Sequence, residues 1–172
     1  MSPRGDGARK RVQRAGRVEV TVDAPIDAVW AVLSDVTRTG EWSHECRSAA
    51  WARGATAAAP GVRFRERNRS GRIQWTRTNE LFDVRPPVGI GWRTVQTLLY
   101  RDVTEWRFRL RGEGERTTIV QEFRIVQLPA VLDWLYARAL PPHRNRDAAL
   151  TDDLYRLGEV ARSRAPSPQP PA

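Results

Sequence analysis

The stretch from Val62 to Asn79, centred on Ser70-Gly71, constrains this chain more than any other segment. A two-residue loop ending in Gly favours a tight hairpin, because Gly accepts the positive φ that such turns need. With Arg69 opposite Arg72, Asn68 faces Ile73, Glu66 faces Trp75 and Phe64 faces Arg77, which makes Glu66 and Arg77 diagonal neighbours. Strand alternation then assigns Arg63, Arg65, Arg67, Arg69, Arg72, Gln74, Thr76 and Thr78 to one face, which must be wet. The other face mixes Val62, Phe64, Ile73 and Trp75 with Glu66, Asn68, Arg77 and Asn79. It is too apolar for solvent and too polar for a sealed core, so it reads as the wall of a cavity.

A chain of 172 residues fits one domain, and a domain near this size buries roughly 70% of its unfolded surface, which leaves room for an internal pocket. The lone Cys46 excludes an intrachain disulfide, and one cysteine with two histidines cannot form a conventional structural zinc site. No Gly-x-Gly-x-x-Gly loop follows a strand and no Gly-x-Ser-x-Gly elbow occurs, so nucleotide-dependent chemistry is disfavoured and no metal or cofactor is expected. No stretch approaches the ~20 apolar residues of a membrane span, and Met1 to Arg17 lacks a signal-peptide core, so a soluble cytoplasmic protein is expected. The net charge of +9 gathers in the N-terminal segment, where six basic side chains against Asp6 supply +5. Such a distribution does not argue for specific nucleic-acid binding. Residues 1–16 are expected to be a disordered basic tail, 17–162 the folded domain and 163–172 a disordered Pro/Ser tail.

Val18, Val20 and Val22 alternate with polar residues as in a half-buried strand, and Pro25 opens a helix carrying Ile26, Val29, Trp30 and Leu33 inward. Beyond a short segment from Thr37 to Trp42, a meander of strands runs to Ile125, punctuated by Ser70-Gly71, Pro86-Pro87 and Gly112 to Gly114. A helical stripe then continues in phase from Leu128 through Leu135 to Leu150, Leu154, Leu157 and Ala161. Across Pro141-Pro142 either one helix is kinked or two helices meet, and the stripe there carries His143 and Arg146.

The segments Val18 to Trp30, Asp35 to Trp42, Pro60 to Phe64, Asp83 to Pro87 and Thr117 to Phe123 resemble the START-like SRPBCC superfamily, within it the polyketide cyclase/dehydrase and lipid-transport group. The resemblance implies an α+β helix-grip fold, in which a strongly bent antiparallel sheet wraps a long C-terminal helix and encloses a cavity. It carries over no catalytic set position by position.

The candidate cavity-lining, ligand-binding residues are Phe64, Glu66, Asn68, Trp75, Arg77, Trp92, Trp106, Gln121 and His143. Glu66 and Arg77 are expected either to anchor a ligand carbonyl, hydroxyl or carboxylate or to satisfy each other. His44 is expected at the surface near the cavity mouth, where acid–base work is the competing role. The expected partner is a small hydrophobic ligand, aromatic, polyketide or lipid-like. The alternatives are a cyclase or aromatase using Glu66, Arg77, Tyr100 or His44, and a protein- or RNA-interaction module using the arginine-rich outer face.

Overall fold

A computed structural model describes residues 11–163. The expected tails at 1–10 and 164–172 lie outside the described residues. Seven strands, β1 (Ala15–Val22), β2 (Cys46–Trp51), β3 (Arg63–Ser70), β4 (Ile73–Arg85), β5 (Gly89–Thr94), β6 (Val103–Glu113) and β7 (Arg116–Gln127), form one sheet in the order β1-β7-β6-β5-β4-β3-β2. Every pairing is antiparallel. Between β1 and β2 run α1 (Ile26–Leu33), a 3-10 turn (Val36–Arg38) and α2 (Thr39–Trp42). After β7 come α3 (Ala130–Ala139), a second 3-10 turn (Pro141–Arg144) and α4 (Asp147–Arg162).

Three register irregularities, at Cys46/Ser48, Leu81/Asp83 and Val103/Thr104, bend the strands that carry them. An extra residue on one strand sharpens local twist, and repeated along a sheet it produces a curl. Phe64, Leu81, Ile90, Phe108 and Ile119 are fully buried and share one core with Val29, Leu33, Leu154 and Leu157. Each fully buried side chain of this size contributes roughly 1.5–3 kcal/mol. The inward stripe of α4 packs against β1 and α1, and Gly158 lets it approach closely. A Cβ at Gly158 would lie 2.5 Å from Val22 Cβ.

The hairpin differs in register from the sequence expectation by two residues. Gly71-Arg72 is the turn, Ser70 pairs with Ile73, Asn68 with Trp75, and Glu66 directly with Arg77. Gly71, at φ 58°, takes the first central position, where a type II′ hairpin turn wants Gly, and Arg72 keeps a negative φ. Because side chains alternate with a period of two, a two-residue slip changes every partner and no face. Phe64, Asn68, Arg77 and Asn79 are accordingly buried, while Arg65, Arg67 and Arg69 are exposed.

At the C-terminus two helices meet. Leu140, ahead of Pro141, sits at φ −123° and ψ 71°, outside the helical region, as residues before proline prefer. The N-terminal boundary also shifts from the expected residue 17. Val12 is buried with its N–H donating to Asp133 Oδ1 at 3.1 Å, Arg14 pairs with Asp133 Oδ2 at 2.9 Å, and β1 starts at Ala15. Asp133 is itself buried, and a buried carboxylate requires such partners.

Candidate functional site

Part of the concave face is left unfilled beneath α2, α3 and the second 3-10 turn, forming a cavity of about 360 Å³. That is at the small end of the roughly 300–1,000 Å³ of ligand pockets. Alternation along β3 and β4 aims Glu66, Asn68, Trp75, Arg77 and Asn79 into it, and β5, β6 and β7 add Trp92, Trp106 and Gln121. His143 and Arg146 enter from the helical side. Phe64 stands apart from this wall. Its ring is fully buried behind Trp92, edge-on at 5.7 Å, and it supports the lining rather than forming it.

Of the two alternatives for Glu66 and Arg77, the one in which they satisfy each other does not form, although the two are cross-strand partners. Arg77 instead makes a bidentate bridge to Asp102, with Nη1 to Oδ1 at 2.9 Å and Nη2 to Oδ2 at 3.0 Å. Tyr136 donates to the same carboxylate at 3.1 Å, and Tyr100 lies under the guanidinium at 4.8 Å. A planar guanidinium is best matched by a carboxylate that accepts two parallel bonds, as Asp102 does here. Glu66 keeps only amide partners, accepting from Asn79 Nδ2 at 2.9 Å. Burial raises its pKa to about 7; bonds from Asn79 and Asn68 oppose the rise and the nearby Glu45 adds to it.

The other polar pole centres on Glu45, buried at the exit of α2. His143 Nε2 lies 2.6 Å from Oε1, Arg146 Nη2 donates to Oε2 at 2.8 Å, and His44 Nε2 is 3.7 Å from Oε1. Burial favours the neutral acid, but Arg146, His143 and His44 outweigh it and hold Glu45 far below the usual carboxylate range. Since Glu45 is ionised, His143 Nε2 is the donor, and in the neutral ring the lone pair resides on Nδ1, which has no partner among the described residues.

His44 is not the surface residue expected. Asp153, buried on α4, accepts from His44 N at 2.8 Å and contacts Nδ1 at 2.6 Å. Burial works against the imidazolium, yet the bonds to Asp153 and Glu45 prevail and raise its pKa to about 9. Trp75 meets His143 edge-on at 6.0 Å, and Arg146 lies over Trp106 at 5.1 Å. Trp42 Nε1, Gln121 Oε1 and Arg146 Nε, all on residues of the wall, are buried without a hydrogen-bond partner. Cys46 packs nearby, its thiol pushed up to about 12 by burial, which makes it a poor nucleophile. Among the described residues no group of three or more His, Cys, Asp or Glu side chains is placed to hold a metal ion.

Sequence reasoning missed Glu45, Asp102, Arg146 and Asp153 as parts of the site. Arg146 and Asp153 carried a signal, since each stands on the inward helical stripe three residues from His143 or Leu150. Asp102 sits in a connection with no periodicity to read.

A curled antiparallel sheet closed by C-terminal helices over a semi-polar cavity defines a helix-grip protein. The chain belongs to the polyketide cyclase/dehydrase and lipid transport family, whose model matches residues 13–159. The Zhui aromatase/cyclase of Streptomyces sp. R1128 has the same fold at a TM-score of 0.67 and 23% identity, the match covering 90% of this chain and 98% of that one. Protein MLL2253 of Mesorhizobium loti matches at 0.61 and 16% identity over 88% of this chain and 99% of its own. The di-domain aromatase/cyclase BexL of the BE-7585A biosynthetic pathway matches at 0.57 and 16%, covering 83% of this chain and 46% of BexL. At these identities the likeness establishes the fold. No curated protein matches the sequence. Among the described residues no helix is long and apolar enough to cross a membrane.

Proposed function

We propose that the cavity binds one small, largely apolar molecule carrying a hydroxyl or carbonyl group. The observation behind this reading is a wall in which Trp75, Trp92 and Trp106 alternate with polar groups whose charges are already matched inside the protein. Arg77 is matched by Asp102 and Arg146 by Glu45, so a charged ligand would gain no free counter-ion there. A neutral polar group gains partners at Glu66 and His143. Flat aromatic ligands suit the indole surfaces. Native mass spectrometry with a panel of fused-ring phenols tests it: one molecule per chain is expected, and failure of every member to bind contradicts the reading.

A second reading is cyclase-type chemistry, favoured by His143 held by Glu45 on the same cavity wall as Glu66. An imidazole whose Nε2 is held by a carboxylate presents Nδ1 for proton transfer, and a carboxyl group with its pKa near neutrality can exchange a proton with the same substrate. Ring closure of a poly-β-ketone with loss of water requires that pair in a shaped pocket. His143→Gln is then expected to abolish product formation while weakening binding far less, since the Gln amide still offers a hydrogen bond at the wall. Unchanged turnover in this variant contradicts the assignment.

An RNA-binding outer face is less well supported. Arg63 and Arg93 share Glu80, and Arg17 and Arg109 share Glu122, which offsets part of the positive charge on that face.

A further inference from the structure

The cavity wall reaches the surface at Ile73 and Leu135, which are 40% and 45% exposed. Around this mouth lie more apolar side chains that the fold leaves in water. Leu98 and Leu99, 95% and 74% exposed, sit between β5 and β6, immediately before the cavity residue Tyr100. Their position is built: the Thr97 N–H donates to the Tyr100 carbonyl at 2.9 Å, and the Tyr100 N–H returns a bond to Thr97 Oγ1 at 3.0 Å. Gln96 braces the turn by donating to the Arg101 carbonyl. The two leucines form the apex of a closed turn rather than part of a slack loop. On α3, Val131 and Trp134 are 76% and 62% exposed, on the turns that also carry the cavity residues Leu135 and Tyr136, and Tyr136 ties that helix to the β5–β6 connection through Asp102.

Charge identifies the occupant. In the three segments that border the mouth, residues 69–73, 95–102 and 128–139, the exposed charged side chains are Arg69, Arg72, Arg101 and Arg138. The only carboxylates there are Asp102 and Asp133, both buried and paired with Arg77 and Arg14. Apolar side chains at a turn apex, an exposed Trp on an adjoining helix and a border of arginines match an interface of hydrocarbon beneath negative headgroups.

We propose that this rim docks on an anionic lipid bilayer, inserting Leu98, Leu99 and Trp134 so that the cavity mouth faces the membrane. Cargo then passes between bilayer and cavity without crossing water. The docking claim rests on the outer surface and stands apart from the identity of the ligand.

Flotation of the full chain with vesicles of phosphatidylcholine, with and without phosphatidylglycerol, tests it. The wild-type protein is expected to bind the phosphatidylglycerol vesicles and to be released by salt. Leu98→Glu/Leu99→Glu is expected to weaken that binding by about tenfold or more, and Arg101→Gln by about fivefold. Titration of both variants with 1-naphthol in solution separates this claim from the cavity reading, because neither variant touches the wall and both should bind as the wild type does. The proposal is overturned by absence of vesicle binding, by equal binding to phosphatidylcholine alone, or by binding that survives the double leucine variant. It is also overturned if the patch proves to join two copies of the chain, seen as a dimer by ultracentrifugation that the double variant abolishes.

Discussion

Glu66 and His44 sit on one cavity and respond to it in opposite ways. Burial dominates at Glu66 and keeps it protonated up to about 7, whereas at His44 the carboxylates of Asp153 and Glu45 overcome burial and keep the charge to about 9. Both groups hold a proton in the native state that the unfolded chain gives up sooner, so both make stability fall as pH rises. For Glu66 the loss begins near its ordinary 4.5 and is complete above about 7. For His44 the stabilisation is full below 6.5 and is lost as pH rises through about 9. Urea titrations across this range should therefore show Glu66→Gln flattening the lower window and His44→Gln the upper one. Profiles that superimpose on the wild type would contradict the assignment. Arg77 supplies a contrast, because removing it strands a buried carboxylate. Arg77→Met should cost about 3–5 kcal/mol in the same titration, while Glu66→Gln, whose amide oxygen can still accept from Asn79, should cost far less.

At the scale of elements, α4 approaches β1 closely at Gly158. Any side chain there must displace Val22, whose Cγ1 would be 2.6 Å from the new Cβ. Gly158→Ala should destabilise by about 1–3 kcal/mol through overpacking, outweighing the ~1 kcal/mol that Ala gains over Gly in a helix. Adding Val22→Ala should recover part of the loss, and a strictly additive double mutant would place the strain elsewhere. The elements themselves were legible because periodicity is a local property. Val18, Val20 and Val22 alternate as a strand, and Leu150, Leu154 and Leu157 repeat as a helix, whatever lies opposite them. The hairpin partners were not legible to the residue. Both Ser70-Gly71 and Gly71-Arg72 make plausible two-residue turns, and the choice depends on which position takes the positive φ. The face assignment survived because the error was even.

For the molecule as a whole, the inner wall was readable where strands dictate it and unreadable where the chain folds back. Trp75, Trp92, Trp106 and Gln121 follow from alternation alone. The partnership of Arg77 with Asp102, 25 residues away in another connection, depends on tertiary placement that no local pattern encodes. The same holds for Glu45, which gains meaning only when residues about a hundred positions later bring His143 and Arg146 onto it. These distant polar pairs fix the helices over the open part of the sheet, and so hold a cavity of about 360 Å³ where collapse would otherwise bury more apolar surface. The most direct test is a titration of the wild type and of Ala139→Trp, which fills the cavity from α3, with 1-naphthol and larger fused-ring phenols. Tryptophan fluorescence reports binding and native mass spectrometry its stoichiometry. Saturable one-to-one binding that the Trp substitution abolishes without lowering thermal stability is the predicted result. Absence of saturable binding across the panel, or undiminished binding by the filled variant, would contradict it.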